Sequence, residues 1–391
     1  MRSLDSLKDV AGRCVFVRVD FNVPLDQEQQ ITDDARIRGA LPTLEWLRER
    51  GARLVLAAHL GRPKDREPEL SLKPAAEQLS QLLGVRVSLA PAVVGAEVEA
   101  LAEELADGEV LMLENVRYEP GETKNDPVLA QAYARLADVY VNDAFGAAHR
   151  AHASTEGIAH LTREAVAGRL LEREVKVLQG IIEDPERPLV AVMGGAKVSD
   201  KIGVIDAFLN RADQVLIGGA MCFPFFKALG HGVGDSLCED EGIEPAGRAL
   251  EQAKTASGKL TLPVDLTIAR EFSAEAERRD SDGVDVDEGW MGLDVGPRTA
   301  ERYARVIGEA GTVFWNGPMG AFELEPFARG TREVAEAVAS TSATTVVGGG
   351  DSAAALALFG LEDRVDHLST GGGASLELIE DRALPGVEAL S

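Results

Sequence analysis

The sequence predicts an α/β protein of two Rossmann-like domains, each a mostly parallel sheet covered by helices, and three observations carry that expectation. Short apolar runs alternate with helix-length amphipathic stretches along the whole chain, the pattern of parallel βαβ units. A length of 391 residues exceeds one comfortable core, given domains of roughly 150 residues. The composition, 45% apolar and only 5% aromatic with 40 glycines, suits buried aliphatic strands joined by tight turns.

From the amino end, CVFVRV at 14–19 reads as a buried strand and 33–50 as a helix that begins after the polar turn ITDD. A second strand, RLVLAAH, ends at His59 and opens into the loop LGRPK. The alternation continues through strands at 85–89, 110–113 and 139–141, with helices expected over 75–83, 98–106 and 127–137. Residues 169–182 carry a stripe of Leu171, Val175, Leu178 and Ile182 and are followed by EDPERP. A long helix closed by two prolines reads as a connector between domains. Beyond it the alternation restarts at LVAVM and runs through QVLIGG, LTLPVD, TVFWNG, TTVVGGG and HLSTGGG. The expected organisation is therefore an amino-terminal domain over 1–168, a hinge over 169–188 and a second domain over 189–375.

Charge and composition exclude several classes. Forty basic against 65 acidic residues give a net charge of -25, which opposes nonspecific association with nucleic acid or anionic membranes. No apolar span approaches about 18 residues and the amino end lacks the apolar centre of a signal peptide, so a cytoplasmic protein is expected. Cys14, Cys222 and Cys238 are far apart and form no CxxC pair, which argues against structural zinc or a disulfide framework.

Polar clusters follow the apolar runs of the first half: DFN at 20–22, HLGR at 59–62, ENVR at 114–117 and NDAFGAAHR at 142–150. In a parallel sheet these positions fall on the carboxyl edge, where ligands bind. Arg36, His59, Arg62, Arg117 and Arg150 could thus converge within a chain of opposite sign, which points to a small, multiply charged anion. The competing reading is a set of scattered surface arginines, and for His59 a structural hydrogen bond at a strand end.

The second half offers glycine-rich turns instead: GGAK, GGAM, NGPMG, GGGDS and TGGGAS. Rows of accessible backbone amides suit the phosphates and flat base of a nucleotide. Asp351 either holds magnesium or, with Ser352, caps a helix. In LVAVMGGAKVSDKI, a strand, a glycine turn and a helix expected over 199–210 form an anion cradle, and Lys197 and Lys201 share one face if helical geometry already holds there. The alternative is an ordinary βα turn with solvated lysines. No Walker A pattern occurs.

The strings VDFNVP, HLGRP, LENVRYEPGETKND, YVNDAFGAAHR, GGAKVSDK, WNGPMGAFE, GGGDS and STGGGASLELIE, in that order along the chain, resemble phosphoglycerate kinase. The resemblance implies two domains flanking a cleft, joined by a hinge helix, and reversible magnesium-dependent phosphoryl transfer between ATP and the carboxylate of 3-phosphoglycerate, yielding ADP and 1,3-bisphosphoglycerate. By that resemblance Asp20, Phe21, Asn22, Arg36, His59, Leu60, Gly61, Arg62, Arg117 and Arg150 hold the phosphoglycerate. Lys197, Lys201, Gly219, Gly292, Asn316, Glu323, Gly349, Gly350, Asp351 and Ser352 serve the nucleotide, with Asp351 toward the metal. Arg36, Lys197 and the amides near Gly349 and Gly372 are expected to stabilise the moving phosphoryl, while Lys201 holds phosphates at rest. Segment 376–391 is expected to pack back on the amino-terminal domain, and the protein to be a monomer. GGAMCFPFF departs from the commoner pattern at Ala220 and over 223–226, which bears on the shape of the adenine pocket.

Physical chemistry supports the resemblance independently. A carboxylate nucleophile is ionised at neutral pH and needs no general base, and no GxSxG or HExxH occurs to supply one. An NAD-dependent dehydrogenase would also show two α/β halves, but it requires a GxGxxG that is absent. A catalytically idle member of the kinase fold is disfavoured by intact Arg36, Lys197 and Asp351.

Overall fold

The structure, a computed structural model, describes residues 1–256 and 259–391. It divides into two compact units, one formed by Met1–Lys176 with Arg382–Ser391 and the other by Val177–Asp381.

The first unit is built on a six-stranded parallel sheet of β1 (Cys14–Val19), β2 (Arg53–Ala57), β3 (Val87–Leu89), β4 (Val110–Met112), β5 (Val139–Asp143) and β6 (Ala165–Ala167), in the order β3-β4-β2-β1-β5-β6. All six residues of central β1 are buried because both faces are covered, which is why it reads as a continuous apolar run. Around the sheet lie α1 (Ala35–Glu49), α2 (Lys73–Leu83), α3 (Ala96–Glu103), α4 (Pro127–Ala134) and the start of α5 (Arg169–Glu183). Helix α1 buries Ile37, Ala40, Leu44 and Leu47 against Val15, Val17 and Val19 of β1. Asp126 caps α4 by accepting from the amides of Val128 and Leu129, with Pro127 at its first position.

The chain end belongs to this unit through α13 (Pro385–Glu388): Gly386 N donates to Ala148 O at 2.9 Å and Arg2 N to Leu390 O at 2.8 Å. The return starts at Arg382 rather than at 376. Residues before it stay with the second unit, where Arg211 Nη1 donates to Ile379 O at 3.2 Å.

The second unit carries a six-stranded parallel sheet of β7 (Leu189–Met193), β8 (Gln214–Ile217), β9 (Lys259–Thr261), β13 (Thr312–Asn316), β14 (Thr344–Gly348) and β15 (His367–Leu368), in the order β15-β14-β13-β7-β8-β9. Between β9 and β13 in sequence lies a small antiparallel sheet of β10 (Leu266–Ala269), β11 (Arg278–Asp280) and β12 (Met291–Val295). The helices are α6 (Ile202–Arg211), α7 (Cys222–Ala228), α8 (Ile243–Ala253), α9 (Pro297–Gly308), α10 (Arg329–Ser340), α11 (Gly350–Phe359) and α12 (Gly372–Ile379).

Two expectations change here. LTLPVD is not one strand to Asp265: β9 stops at Thr261, and buried Asp265 instead caps α9, accepting from the amides of Arg298 and Thr299 at 3.0 and 2.8 Å. The helix after the glycine turn begins at Ile202, not 199, because Ser199 is drawn to Glu239 through both its amide and its hydroxyl.

At the end of β5, Asp143 is fully buried, and its Oδ1 accepts from the amides of Leu170 and Leu171 at 2.9 and 3.2 Å, capping α5. Burial pushes its carboxyl up to about 7, against the hydrogen bonds from Thr43, Leu171 and Leu170. An unfolded aspartate ionises near about 3.9, so the unfolded chain releases this proton first and stability falls as pH rises from about 4 to about 7. Asp143→Asn is expected to lose that part of the slope in thermal unfolding across this window. An unchanged slope in the variant would contradict the assignment.

Candidate active site

In the first unit the carboxyl ends of β1, β2, β4 and β5 lie side by side because the strands are parallel, and the polar clusters after them meet on one edge. A cleft of about 720 Å³ there is lined by Asn22, His59, Gly61, Arg62, Arg117 and Arg150, together with Lys64, His149 and His152. The backbone is tied to the arginines: Asn22 Oδ1 accepts from Gly61 N at 2.8 Å, and Arg117 Nη1 donates to Gly61 O at 2.6 Å. Arg36 donates to buried Asp20 at 2.7 Å. Burial penalises the Asp20 carboxylate, but Arg36 and Arg18 outweigh it and hold the group below the usual range. Phe21 and Leu60 lie in the core by their side chains, so they can offer a ligand only backbone.

Two of the three cleft histidines, His59 and His152, are uncharged at neutral pH. Burial, then Arg18, push His59 down to about 3. Burial, followed by Arg18, Arg117 and Arg150, brings His152 to about 4. Arg62, Arg117, Arg150 and Lys64 therefore give the cleft positive charge to which His59 and His152 add none, an arrangement suited to holding an anion.

Several residues that organise this site escaped the sequence reading. Arg18, 1% exposed within β1, donates to Ser154 Oγ at 2.8 Å and contacts His59 Nδ1 at 3.1 Å. Buried Asn115 donates to Leu60 O and Leu70 O at 2.8 Å each and accepts from Arg117 N at 3.1 Å, fixing the 60–61 loop. Buried Glu122 accepts from Ser154 Oγ at 2.5 Å. An arginine inside an apolar strand run was a visible signal; Asn115 and Glu122 offered none beyond lying in polar turns.

In the second unit a pocket of about 430 Å³ is lined by Gly195, Gly219, Phe223, Leu237, Gly292, Leu293, Glu323 and Asp351, among others. Its wall is mostly apolar, and a side chain at Gly292 would meet the Phe223 ring at 2.5 Å, so the Phe223 that set this sequence apart closes one side. Next to the pocket, Lys201 Nζ donates to Gly194 O at 2.6 Å and Asn316 O at 3.1 Å, at the carboxyl ends of β7 and β13. Asn316 Nδ2 donates to Gly348 O at 2.8 Å, and Ser352 Oγ accepts from Gly317 N at 2.6 Å. Gly349, at φ 95°, precedes α11, and a Cβ on Gly372 would touch Gly349 Cα at 3.4 Å, so the two glycine turns are adjacent.

The lysines do not share a helix face. Lys201 is the residue before α6, turned inward, whereas Lys197 lies exposed in the turn. Burial lowers Lys201 to about 8, opposed by Asp351 and Asp200. Of the nucleotide residues expected, Gly219, Gly292, Glu323 and Asp351 line the pocket; Lys201, Asn316, Gly349, Gly350 and Ser352 belong to the strand ends and turns beside it, as does Gly372, expected to serve the moving phosphoryl.

Among the described residues no group of three or more His, Cys, Asp or Glu side chains could hold a metal. Asp351, exposed in the first turn of α11, offers one carboxylate. Magnesium bound with phosphates takes one or two carboxylates, phosphate oxygens and water, so this donor set fits an ion that arrives with the nucleotide.

Comparison with known proteins completes the description. The family model of phosphoglycerate kinase matches residues 4–382. A phosphoglycerate kinase of Herpetosiphon aurantiacus is 52% identical over 389 residues, covering 99% of this chain and 98% of the relative. A cytosolic phosphoglycerate kinase of Triticum aestivum is 51% identical over 385 residues, 98% of this chain and 96% of its own. The solved structure of phosphoglycerate kinase from Coxiella burnetii superposes with a TM-score of 0.89 at 41% identity, covering 99% of this chain and 98% of that one. Sequence, sheet topology and full-length similarity agree, and the chain belongs to the phosphoglycerate kinase family.

Proposed function

We propose that the arginine cleft of the first unit holds 3-phosphoglycerate and that the pocket and glycine turns of the second hold the nucleotide, with Arg36 and Lys197 meeting at the phosphoryl group during transfer. The family's reaction, reversible phosphoryl transfer between ATP and the carboxylate of 3-phosphoglycerate with magnesium, is the activity of this chain. The observation that carries the residue assignment is the convergence of Arg62, Arg117 and Arg150 on one cleft of a strongly acidic protein.

The chemistry follows from charge. The acceptor carboxylate is already ionised at neutral pH, so the transfer requires no general base. Catalysis then rests on positioning and on neutralising the transferring group. Asp351 would hold the magnesium, which would supply positive charge to offset that of the phosphates. Backbone amides at Gly349 and Gly372 and the exposed ammonium of Lys197 supply donors, and the inward ammonium of Lys201 anchors resting phosphates.

Because donor and acceptor bind separate units, transfer requires a hinge motion, centred on 169–188, that also excludes competing water. Small-angle scattering should show compaction with both substrates present; superimposable profiles with neither and with both bound would contradict it. A coupled assay should show ATP consumption that depends on 3-phosphoglycerate and collapses in Lys197→Ala, and full turnover in that variant would remove Lys197 from the mechanism.

Gly317→Ala is a second handle. Gly317 has φ 95°, and an added Cβ would collide first with Gly194 O, the carbonyl that holds the Lys201 ammonium, and come within 2.5 Å of Lys201 Nζ itself. Displacing that ammonium should lower kcat/KM for ATP about 10²-fold, the scale of a misplacement near 1 Å. Unchanged ATP kinetics in a folded variant would rule out the proposed role of Lys201.

The protein is further proposed to act as a cytoplasmic monomer. The cytoplasmic location is supported by the cytosolic designation of the Triticum aestivum relative. Among the described residues no helix is long and apolar enough to cross a membrane.

A further inference from the structure

We propose that Arg18 is a positioning residue that fixes the tautomer of His59 with its proton on Nε2, so that the imidazole presents the phosphoglycerate cleft with a hydrogen-bond donor. Arg18 Nη2 lies 3.1 Å from His59 Nδ1, and a guanidinium has donors only. Nδ1 must therefore be the acceptor, and a neutral ring that accepts at Nδ1 carries its proton on Nε2. His59 lines the cleft, and among the described residues the ring's one hydrogen bond is this contact at Nδ1.

The guanidinium cannot swing away. Arg18 is 1% exposed, its Nε donates to Ser154 Oγ at 2.8 Å, and its Nη1 donates to Val19 O. Ser154 in turn donates its hydroxyl to Glu122 Oε1 at 2.5 Å and its amide to Oε2 at 3.2 Å. A buried chain Glu122, Ser154, Arg18, His59 thus runs from the core to the cleft, and the last bond in it sets the tautomer.

Protonation at Nδ1 would place two donors and two positive charges face to face. The other charged groups around the ring do not reverse this. Burial dominates, Arg18, Arg117 and Arg36 repel the imidazolium, and Asp20 alone favours it. In this cleft the arginines answer the ligand's charge, whereas His59 answers an oxygen acceptor, a carboxylate or hydroxyl, independently of pH.

The assignment rests on the reading that the cleft holds phosphoglycerate, but its tautomer can be read without ligand. Long-range proton–nitrogen correlation spectra of the ¹⁵N-labelled protein, with His59 identified by its loss in His59→Gln, should show a pyridine-like Nδ1 and a pyrrole-like Nε2. Both should hold steady between about pH 5 and 8, where an unperturbed histidine titrates. In Arg18→Met the bond that holds Nδ1 as an acceptor is lost, so His59 should exchange between tautomers and its two nitrogen shifts should move toward each other. The KM for 3-phosphoglycerate should then rise, because Nε2 is no longer held as a donor, while the KM for ATP keeps the parent protein's value and pH profile. A protonated Nδ1, or a titrating His59, in the parent protein overturns the proposal, and that spectrum decides even if Arg18→Met does not fold. Adding 3-phosphoglycerate should shift Nε2. A steady Nε2 with the tautomer as assigned would instead overturn the cleft reading and leave the Arg18 bond standing.

Discussion

Arg36→Ala is expected to lower kcat by about 10²–10³-fold at saturating substrates, the cost of removing one preorganised donor from a developing charge. Only interactions that strengthen in the transition state act on kcat, so the loss should fall there more than on either KM. Arg36 also neutralises Asp20, which is 3% exposed and 2.7 Å away. Its removal leaves a buried carboxylate without its strongest partner, so some loss of thermal stability should accompany the loss of rate. Arg36→Lys separates the two effects: it restores charge near Asp20 without the planar fork and should recover stability more than rate. Steady-state kinetics alongside thermal unfolding would check both, and a kcat within tenfold of the parent in Arg36→Ala would remove Arg36 from the transfer step.

Lys201→Met should instead act on nucleotide binding. The ammonium is held by Gly194 O and Asn316 O, and its removal costs the phosphates their inner cation and the two carbonyls their donor. Truncating one partner of a buried, hydrogen-bonded charge pair costs about 2 to 5 kcal/mol, so nucleotide affinity should fall roughly 30-fold or more. Burial, opposed by Asp351 and Asp200, brings Lys201 to about 8. The charged form therefore prevails below that value and fades above it, and the KM for ATP should rise as pH climbs through about 8. The variant should lack this rise. In the free protein the sign for stability is opposite, because the unfolded lysine holds its proton to about 10.4: folding gains as pH rises between the two values. Calorimetric titration with ATP at pH 7 and above 8 would check the binding claim, and equal affinity in Lys201→Met would contradict it.

Much of the architecture was legible because a parallel strand buried on both faces has little choice but to be an apolar run. Cys14–Val19, Leu189–Met193 and Thr312–Asn316 each read that way, and each is fully buried. The carboxyl-edge rule then placed His59, Arg62, Arg117 and Arg150 together from residues almost a hundred positions apart. The antiparallel sheet was hidden because β11 is the exposed, charged tripeptide Arg278–Asp280, with no apolar period to detect. The two lysines misled for a geometric reason: Gly195, at φ 109°, and the tie of Ser199 to Glu239 delay the helix to Ile202, which turns Lys201 inward and leaves Lys197 in solvent. Arg18 was visible as an anomaly within CVFVRV, but its partners His59 and Ser154 lie 41 and 136 residues further on, and no local pattern connects them.

The separation of the two substrates between the two units is tested most directly by calorimetric titration of the double variant Arg62→Ala/Arg117→Ala. Binding of 3-phosphoglycerate should disappear while magnesium-ATP binds as in the parent protein. Undiminished affinity for 3-phosphoglycerate, or a loss of nucleotide binding in its place, would contradict the assignment of the arginine cleft.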